Sequence, residues 1–471
     1  MLNPALVNRV LSAALEGGAD FAEVFVEDTE TCELGLLDSK PSTAVAGRLR
    51  GAGIRLLYGT DVVYVTTSQL DESGLLQAAR KAAQARRTPG TEPGSVRNGG
   101  ALQGPGGGRS PAGDGNEGRS FVGKERSQKL DWLRRLDQAA RGRSSSVVQV
   151  EPSLMEKDQR ILIANSHGLW AEDRRPYSRI YCQVTLEDQG ARQGAGESRG
   201  QQSASSFLEG VDLEGLAHAA VDRASLLIHA DYAPAGDMPV IIDHGFGGVI
   251  FHEACGHGLE TTSVAKGASV FCGKLGQKIA HESVTAIDDG TIDGSWGSIA
   301  VDDEGMPTRK TVLIEKGVLK SYIADQVGSL KTGYERTGSG RRQSYRFAPA
   351  SRMRNTYIAA GTDNLESMIR DMDYGLYARK MGGGSVNPGT GDYNFAVSEG
   401  YIVRNGRIEK PVKGATLIGR GIETLGRITR VAENLSLEVG MCGSVSGSIP
   451  VTVGQPAILV SQILVGGRAQ S

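Results

Sequence analysis

Glycine is unusually frequent in this chain, and its distribution limits the possible folds more than any single motif does. Of the 65 glycines in 471 residues, 37 fall in the 241 residues from Asp231 onward. They separate short runs of β-branched and aromatic residues, a spacing that is typical of antiparallel strands joined by tight turns. Two hairpins are clear, from Thr311 to Ala324 turning at Lys316-Gly317 and from Tyr401 to Val412 turning at Asn405-Gly406. The second half is therefore predicted to be mostly antiparallel β.

The densest glycine segment lies in the first half of the chain and has a different character. The 32 residues from Thr88 to Arg119 contain 11 glycines and 4 prolines, and Val96 and Leu102 are their only large aliphatic residues. Such a segment buries too little apolar surface to offset the entropy lost on ordering it. We therefore predict a flexible insertion at 88–119.

The rest of the first half alternates helical and strand patterns. Asn3-Pro4 begins an amphipathic helix, Asp212 caps a helix that starts at Leu213, and another helix is predicted from Ser73 to Ala85. The β-branched runs predict strands at 21–26, 42–50, 54–67 with a turn at 58–61, 147–152, 159–165 and 180–186.

These patterns predict an α+β fold with two domains. Residues 1–230 are expected to form an α/β scaffold domain, a helix-plus-antiparallel-sheet unit that carries the insertion. Residues 231–471 are expected to form a mostly antiparallel β domain that carries a metal-binding helix, described below.

Charge and cysteine content exclude several classes of protein. With 52 basic and 54 acidic residues the formal charge is −2, so we expect no nucleic acid or membrane partner. The chain has no apolar run of about 18 residues and no signal-peptide pattern, so a cytoplasmic location is expected. Its five cysteines are widely spaced and form no CxxC, which argues against a disulfide framework and leaves a thiolate ligand or nucleophile as the role for a functional cysteine.

The most informative residues for chemistry are His252 and Glu253, followed by His257, in a stretch predicted to be helical from Gly245 to Glu260. Two imidazoles can bind a metal ion while the carboxylate accepts a proton from water. However, residues i and i+5 of an ideal helix lie about 140° apart, because each residue turns about 100°. We therefore predict a π-bulge or unwinding at Cys255 to Gly258 that turns His257 toward His252.

A third ligand is needed for a catalytic zinc, and the residues alone do not identify it. Glu260, His281, His244, Asp243 and the cysteines are all candidates, and Cys442 is no better than Cys272 by this criterion. Two helix histidines that serve only in the core are the alternative to a metal site.

The pattern formed by His252, Glu253 and His257 is an HExxxH motif. The chain resembles the TldD/PmbA family of metallopeptidases, and specifically its TldD branch, over nearly its whole length. The resemblance is densest in the segments 251–260, 338–342, 381–384, 411–419, 421–424 and 441–443. It implies one Zn²⁺ bound by His252, His257 and Cys442, with Glu253 as the general base. It also implies unfolded or modified peptides as substrates, an enclosed cavity, and either a homodimer or a heterodimer with a motif-less TldE/PmbA-like subunit. The insertion at 88–119 is the main departure, since the resemblance implies a shorter connection there.

The predicted function is metal-dependent hydrolysis of peptide bonds. Two alternatives stay open: a non-catalytic subunit that shapes the cavity of a peptidase complex, and a metal-dependent amidohydrolase that acts on small substrates. Four residues are conceivable donors to the oxyanion, with no choice among them: Arg341, Arg342, Tyr345 and Tyr393. The triplet Gly382-Gly383-Gly384 is either a plain loop or a sheet edge that accepts an extended peptide.

Overall fold

The computed structural model describes residues 2–86, 121–387 and 389–468, so the predicted insertion at 88–119 lies outside the described residues. The chain folds as an α+β protein, as predicted, with antiparallel pairing dominant in both halves. None of the helices in the described part of the chain is long and apolar enough to span a membrane.

The first half is built on one six-stranded antiparallel sheet with the order β3-β2-β1-β4-β5-β6. Helices α1 and α2 share one hydrophobic core with this sheet, and helices α3 and α4 share a second. The elements are α1 (Pro4–Leu15), β1 (Phe21–Leu37), β2 (Lys40–Tyr58), β3 (Asp61–Thr67), α2 (Glu72–Ala85), α3 (Arg126–Arg143), β4 (Val147–Asn165), β5 (Trp170–Asp188), β6 (Ala191–Gln201), a 3₁₀ turn (Ser205–Gly210) and α4 (Leu213–Ile228).

The predicted helix starts are confirmed by their caps. The Asn3 side chain accepts a hydrogen bond from the Leu6 N–H at 2.9 Å, and the Asp212 side chain accepts one from the Gly215 N–H at 2.8 Å. Both side chains satisfy a backbone donor that the first turn leaves free.

The strands are longer than predicted: β2 runs unbroken from Lys40 to Tyr58, through the gap between the predicted strands 42–50 and 54–67, and β1 continues to Leu37. Gly51 and Gly53 lie inside β2, where an added Cβ would stand 2.3 Å from the Tyr345 ring and 1.8 Å from the Tyr64 hydroxyl. These glycines make room for aromatic side chains and do not end the strand. The segments 147–152 and 159–165 likewise belong to a single strand, β4.

The second half consists of β7 (Asp231–Tyr232), β8 (Gly236–Ile242), a 3₁₀ turn (Gly245–Gly248), α5 (Val249–Phe251), a π turn (His252–Gly256), α6 (His257–Leu259), α7 (Thr261–Val264), β9 (Ala286–Asp289), β10 (Lys310–Glu315), β11 (Val318–Leu319), α8 (Gln326–Thr332), β12 (Gly340–Arg341), β13 (Ala350–Ser351), β14 (Asn355–Ile358), α9 (Leu365–Arg370), β15 (Tyr374–Val386), β16 (Asp392–Arg404), β17 (Arg407–Lys413), β18 (Thr416–Arg420), α10 (Gly421–Gly426), β19 (Ile428–Val431), β20 (Ser436–Ser444), β21 (Gly447–Gln455) and β22 (Ile458–Gly466).

Two large sheets organise these elements. One has the order β15-β8-β22-β18-β16-β17-β7, and β15 also pairs with β16, so that five of its strands close into a ring. The other has the order β11-β10-β9-β14-β21-β20 and leaves β20 at its edge. Both predicted turns are confirmed, since Lys316-Gly317 and Asn405-Gly406 have the consecutive positive φ angles of type I′ hairpins.

Buried charges join the two halves. The Arg55 guanidinium on β2 contacts Glu23 on β1 at 2.7 Å and Glu304 of the second half at 2.5 Å, and Arg342 reaches the same Glu23 at 2.9 Å. All four side chains are almost fully buried. Separating the two halves would leave these buried charges without their partners, which is costly. The network therefore holds the second half against the first-half sheet.

Candidate metal centre

The helix that carries His252, Glu253 and His257, which form an HExxxH motif, is interrupted by a π turn at His252–Gly256. The His257 N–H donates to the carbonyl oxygen of His252, an i to i−5 bond that returns residue 257 to the face occupied by residue 252. The two imidazole rings lie 5.3 Å apart between centroids, with an interplanar angle of 83°. The predicted distortion is present, but it begins at His252, earlier than the predicted start at Cys255.

Two glycines let this helix pack closely against its surroundings. A Cβ on Gly256 would stand 2.2 Å from the Met353 sulfur, and one on Gly258 would stand 2.8 Å from the Phe271 ring. The glycines are therefore explained by close packing around the two histidines.

Gly256→Ala is expected to lower the free energy of unfolding by about 1–3 kcal/mol, because buried Met353 must move to admit the methyl group. Denaturant unfolding checks this value. Gly426→Ala in α10 is the matched control, since a Cβ there meets nothing within 4 Å. Equal stability of the two variants would contradict the close packing.

Cys442 reaches the histidines from the edge strand β20. Cys442 is buried while the residues on either side of it, Met441 and Gly443, are exposed, as expected for alternation along a strand. The Cys442 sulfur lies 3.2 Å from His257 Nε2. One ligand atom from each of His252, His257 and Cys442 lies within 4.8 Å of the other two, and all three residues are buried.

The two partners in the closest contact shift each other's pKa. Burial raises the pKa of Cys442, but the His252 and His257 imidazoles outweigh burial and hold that pKa at about 3. Burial lowers the pKa of His257, but Glu260 and Cys442 outweigh it and hold that pKa well above its usual range. Both shifts favour the charged form of each group.

Two carboxylates complete the surroundings of His257. Glu260 lies beside the Nδ1 atom of the ring, away from Cys442, with its Oε2 3.0 Å from His257 Nδ1. Glu253 lies beside the Nε2 atom, which also faces Cys442, with its Oε2 3.7 Å from His257 Nε2 and a side chain that is 27% exposed. Glu253 is the one motif carboxylate that is open to solvent, whereas Glu260 is buried.

The surroundings of the His252 ring nitrogens indicate whether these residues fit a metal ion. Both ring nitrogens are buried, and neither meets hydrogen-bond geometry with a partner in the described part of the chain, although the ring lies close enough to the Cys442 sulfur to lower the pKa of that thiol. An unpaired imidazole nitrogen in such a place is costly, and coordination of a cation would satisfy it. Two imidazoles and one thiolate form a donor set that suits zinc.

The other candidate ligands are engaged elsewhere. His281 Nδ1 contacts the Ser283 hydroxyl at 2.9 Å, and His244 Nδ1 contacts Asp243 at 2.7 Å. The Cys272 sulfur lies 3.7 Å from the Val264 carbonyl oxygen. Of the candidates that the sequence left open, Cys442 is the one whose ligand atom groups with those of both histidines in the described part of the chain. Glu260 contacts only the Nδ1 side of His257.

The four conceivable oxyanion donors all have structural contacts. Arg341 donates to the carbonyl oxygens of Met353 and Pro450, and Arg342 donates to Glu23 in the first half. Tyr345 packs against the first-half sheet, and the Tyr393 hydroxyl is paired with the Thr424 hydroxyl at 2.7 Å. These contacts account for the burial of all four residues without a catalytic role.

Gly382-Gly383-Gly384 lies within β15 and is not a plain loop. On one side Gly384 pairs with Phe395 of β16, whereas on the other side β8 pairs only with Leu376–Ala378. Within the described residues, this end of β15 therefore presents a sheet edge of low side-chain bulk.

Comparison with known proteins adds the family to this description of an α+β fold with a candidate His₂Cys metal centre. Residues 22–86, 121–228 and 235–467 match, in order, PmbA/TldA metallopeptidase domain 1, the central domain and the C-terminal domain. The chain belongs to the PmbA/TldD metallopeptidase family.

Individual relatives agree with this membership. Over 349 residues the chain is 40% identical to a metalloprotease TldD homolog of Haemophilus influenzae, an alignment that covers 73% of this chain and 72% of that one. It is 34% identical to a zinc metalloprotease TldD homolog of Saccharolobus solfataricus over 50% of this chain and 52% of that one. The crystal structure of TldE from Thermococcus kodakarensis has the same fold, with a TM-score of 0.77 at 19% identity, and the match covers 98% of this chain and 100% of that one.

Arg352, a buried residue that contacts the Cys442 backbone, was missed by the reasoning from sequence. No motif marks it, because an arginine among polar residues is typical of a surface loop.

Proposed function

We propose that this protein is a zinc peptidase that hydrolyses unfolded or modified peptides, with His252, His257 and Cys442 as the zinc ligands and Glu253 as the general base. The observation that carries the proposal is the buried, unpaired imidazole of His252 beside a second imidazole and a thiolate. Membership of a metallopeptidase family supports the reaction class.

When bound, a zinc ion supplies Lewis acidity to a peptide carbonyl and lowers the pKa of water at the site toward about 7. The chain's own residues then move the proton. Glu253, partly exposed beside His257, takes a proton from the attacking water and returns it to the leaving amine.

Glu260 prepares His257 for its role as a ligand. The 3.0 Å contact of its carboxylate with Nδ1 favours the tautomer that carries its proton there, which leaves Nε2 free to bind a metal. Glu260 acts through His257 and does not touch the substrate in this proposal.

The sheet edge and the relatives support the proposed substrate and partner. An extended peptide that adds to the open edge of β15 would be recognised through its main chain, which suits unfolded substrates of varied sequence. The partner is a second copy of this chain or a motif-less TldE/PmbA-like subunit, and the fold shared with TldE supports the second possibility.

Removal and return of the metal tests the proposal. Stripping the protein with a chelator is expected to lower the cleavage rate of a denatured protein substrate at least 100-fold. One equivalent of zinc per chain is expected to restore the rate. Undiminished cleavage by fully stripped protein would overturn the proposal.

A second function is favoured by one specific observation. Cys442, His257 and Glu260 form a chain with contacts of 3.2 and 3.0 Å, the arrangement of nucleophile, base and orienting carboxylate in thiol hydrolases. A thiol hydrolase would keep its activity after chelation, so the same experiment distinguishes the two. Activity that appears only after a second subunit is added would identify an obligatory partner, and cleavage restricted to small amides would identify an amidohydrolase.

A further inference from the structure

Arg352 lies between the two segments that supply the candidate metal ligands. It follows β13 directly and its side chain is fully buried. One terminal nitrogen donates to the Ser446 hydroxyl at 3.0 Å and to the Gly447 carbonyl oxygen at 2.8 Å, and the other donates to the carbonyl oxygen of Cys442. A single guanidinium thus holds the strand end and the turn of the hairpin formed by β20 and β21.

This hairpin needs support from outside its own sheet. β20 is the edge strand, and among the described strands it pairs with β21 alone, so no second described strand fixes the backbone of Cys442. The neighbouring side chains of Met441 and Val445 are 51% and 68% exposed and add little packing. Gln343 also bonds the turn: its N–H donates to the Ser446 carbonyl oxygen at 2.9 Å, and its Oε1 accepts from the Ser448 N–H at 2.8 Å. The carbonyl oxygen of Cys442 itself accepts from Arg352.

The same segment also contacts the end of the HExxxH helix. The Met353 N–H donates to Glu260 Oε1 at 3.3 Å, and Arg352 Nε lies 3.9 Å from that oxygen. The other oxygen of Glu260 contacts His257. Hydrogen bonds thus link His257 to Glu260 and Arg352 to the backbone of Cys442, and the two pairs are joined by the longer charge contact between Glu260 and Arg352.

We propose that Arg352 is a positioning residue that sets the spacing between Cys442 and His257, and so determines how tightly the His₂Cys site holds its metal. This inference rests on the proposed function for the metal itself, but the spacing it concerns exists in the metal-free chain. The planar fork is essential to it, because lysine offers one nitrogen and cannot bond all three acceptors in the same geometry.

Arg352→Lys keeps the charge and removes the fork, which makes it the informative variant. Loss of a partner that orients metal ligands typically costs 10- to 100-fold in metal affinity, so a decrease of about that size in zinc affinity is expected. Arg341→Lys is the matched control: Arg341 is also buried and donates to two backbone carbonyls, Met353 and Pro450, but not to that of Cys442. Its zinc affinity is expected to stay within about threefold of wild type.

Two measurements on the whole 471-residue chain test the proposal, and the second does not require that zinc binds. The first is zinc affinity by competition with a chromophoric chelator. The second is the rate at which a thiol reagent labels Cys442 in metal-free protein, followed by mass spectrometry of the Cys442 peptide. Because Cys442 is buried, labelling reports local opening of the hairpin, and we expect Arg352→Lys to raise the rate about 10-fold.

The outcomes separate the two proposals. Wild-type zinc affinity in Arg352→Lys, or an equal loss in Arg341→Lys, would overturn the positioning role. A wild-type chain that binds no zinc would defeat the proposed function. The labelling rate would then test the positioning role of Arg352 by itself. An unchanged rate in Arg352→Lys would contradict that role, and a raised rate would support it.

Discussion

Glu253→Gln is expected to lower kcat for cleavage of a denatured protein by about 1,000-fold, within the roughly 100- to 10,000-fold range of general acid–base catalysis. The amide keeps the size of the side chain but has no basicity. Zinc content and KM are expected to stay near wild type, because the carboxylate lies beside the ligand group and is not counted among its three donors.

The control for this prediction is Glu282→Gln, an exposed glutamate of the same half, which should leave kcat unchanged. Full activity in the Glu253 variant would eliminate the general-base role. Loss of zinc in that variant would instead make Glu253 a fourth ligand, a result compatible with its 3.7 Å distance from His257 Nε2 but not with the proposed mechanism.

Cys442→Ala is expected to lower zinc affinity by at least 100-fold, since it removes one of three protein donors and the only thiolate. Cys255→Ala serves as the matched control, because Cys255 is equally buried and lies in the HExxxH helix itself. The Cys255 side chain belongs to the large apolar core, and burial raises the pKa of its thiol, which makes it an inert packing residue.

Both affinities are measured by chelator competition, with thermal unfolding in the presence of chelator to confirm that the variants fold. Similar zinc affinities in the two variants would exclude Cys442 as a ligand.

Local signals in the sequence predicted much of the fold. The caps at Asn3 and Asp212 and the turns at Lys316-Gly317 and Asn405-Gly406 act over a few residues, and the structure contains all of them. The predicted strands 42–50 and 54–67 did not anticipate that β2 runs unbroken through Gly51 and Gly53, and the cause is not local. These glycines are explained by contacts with Tyr345 and Tyr64, one of them almost 300 residues away, and no local pattern records such a contact.

The candidate site likewise has one part that the local sequence predicted and one part that it did not. The spacing of His252 and His257 predicted a helical distortion because the argument needs only the geometry of one helix. Cys442 was not distinguishable from Cys272 by composition or spacing, and only the resemblance to a family selected it. Its proximity to His257 depends on how an edge strand is placed against the helix, 185 residues apart in sequence.

Arg352 shows what reasoning from sequence omits. A buried arginine that bonds backbone carbonyls has no characteristic neighbours, and its partners are atoms that every residue possesses. Glu260, which the sequence offered as a ligand, lies 3.0 Å from His257 Nδ1, the nitrogen on the side of the ring away from Cys442.

X-ray absorption at the zinc edge of the loaded protein tests the His₂Cys centre most directly, because it reports the donor atoms without requiring turnover. One sulfur at about 2.3 Å and two imidazole nitrogens at about 2.0–2.1 Å are predicted, and the sulfur should disappear in Cys442→Ala but persist in Cys255→Ala. A zinc shell of nitrogen and oxygen alone in the wild-type protein would contradict the proposed centre.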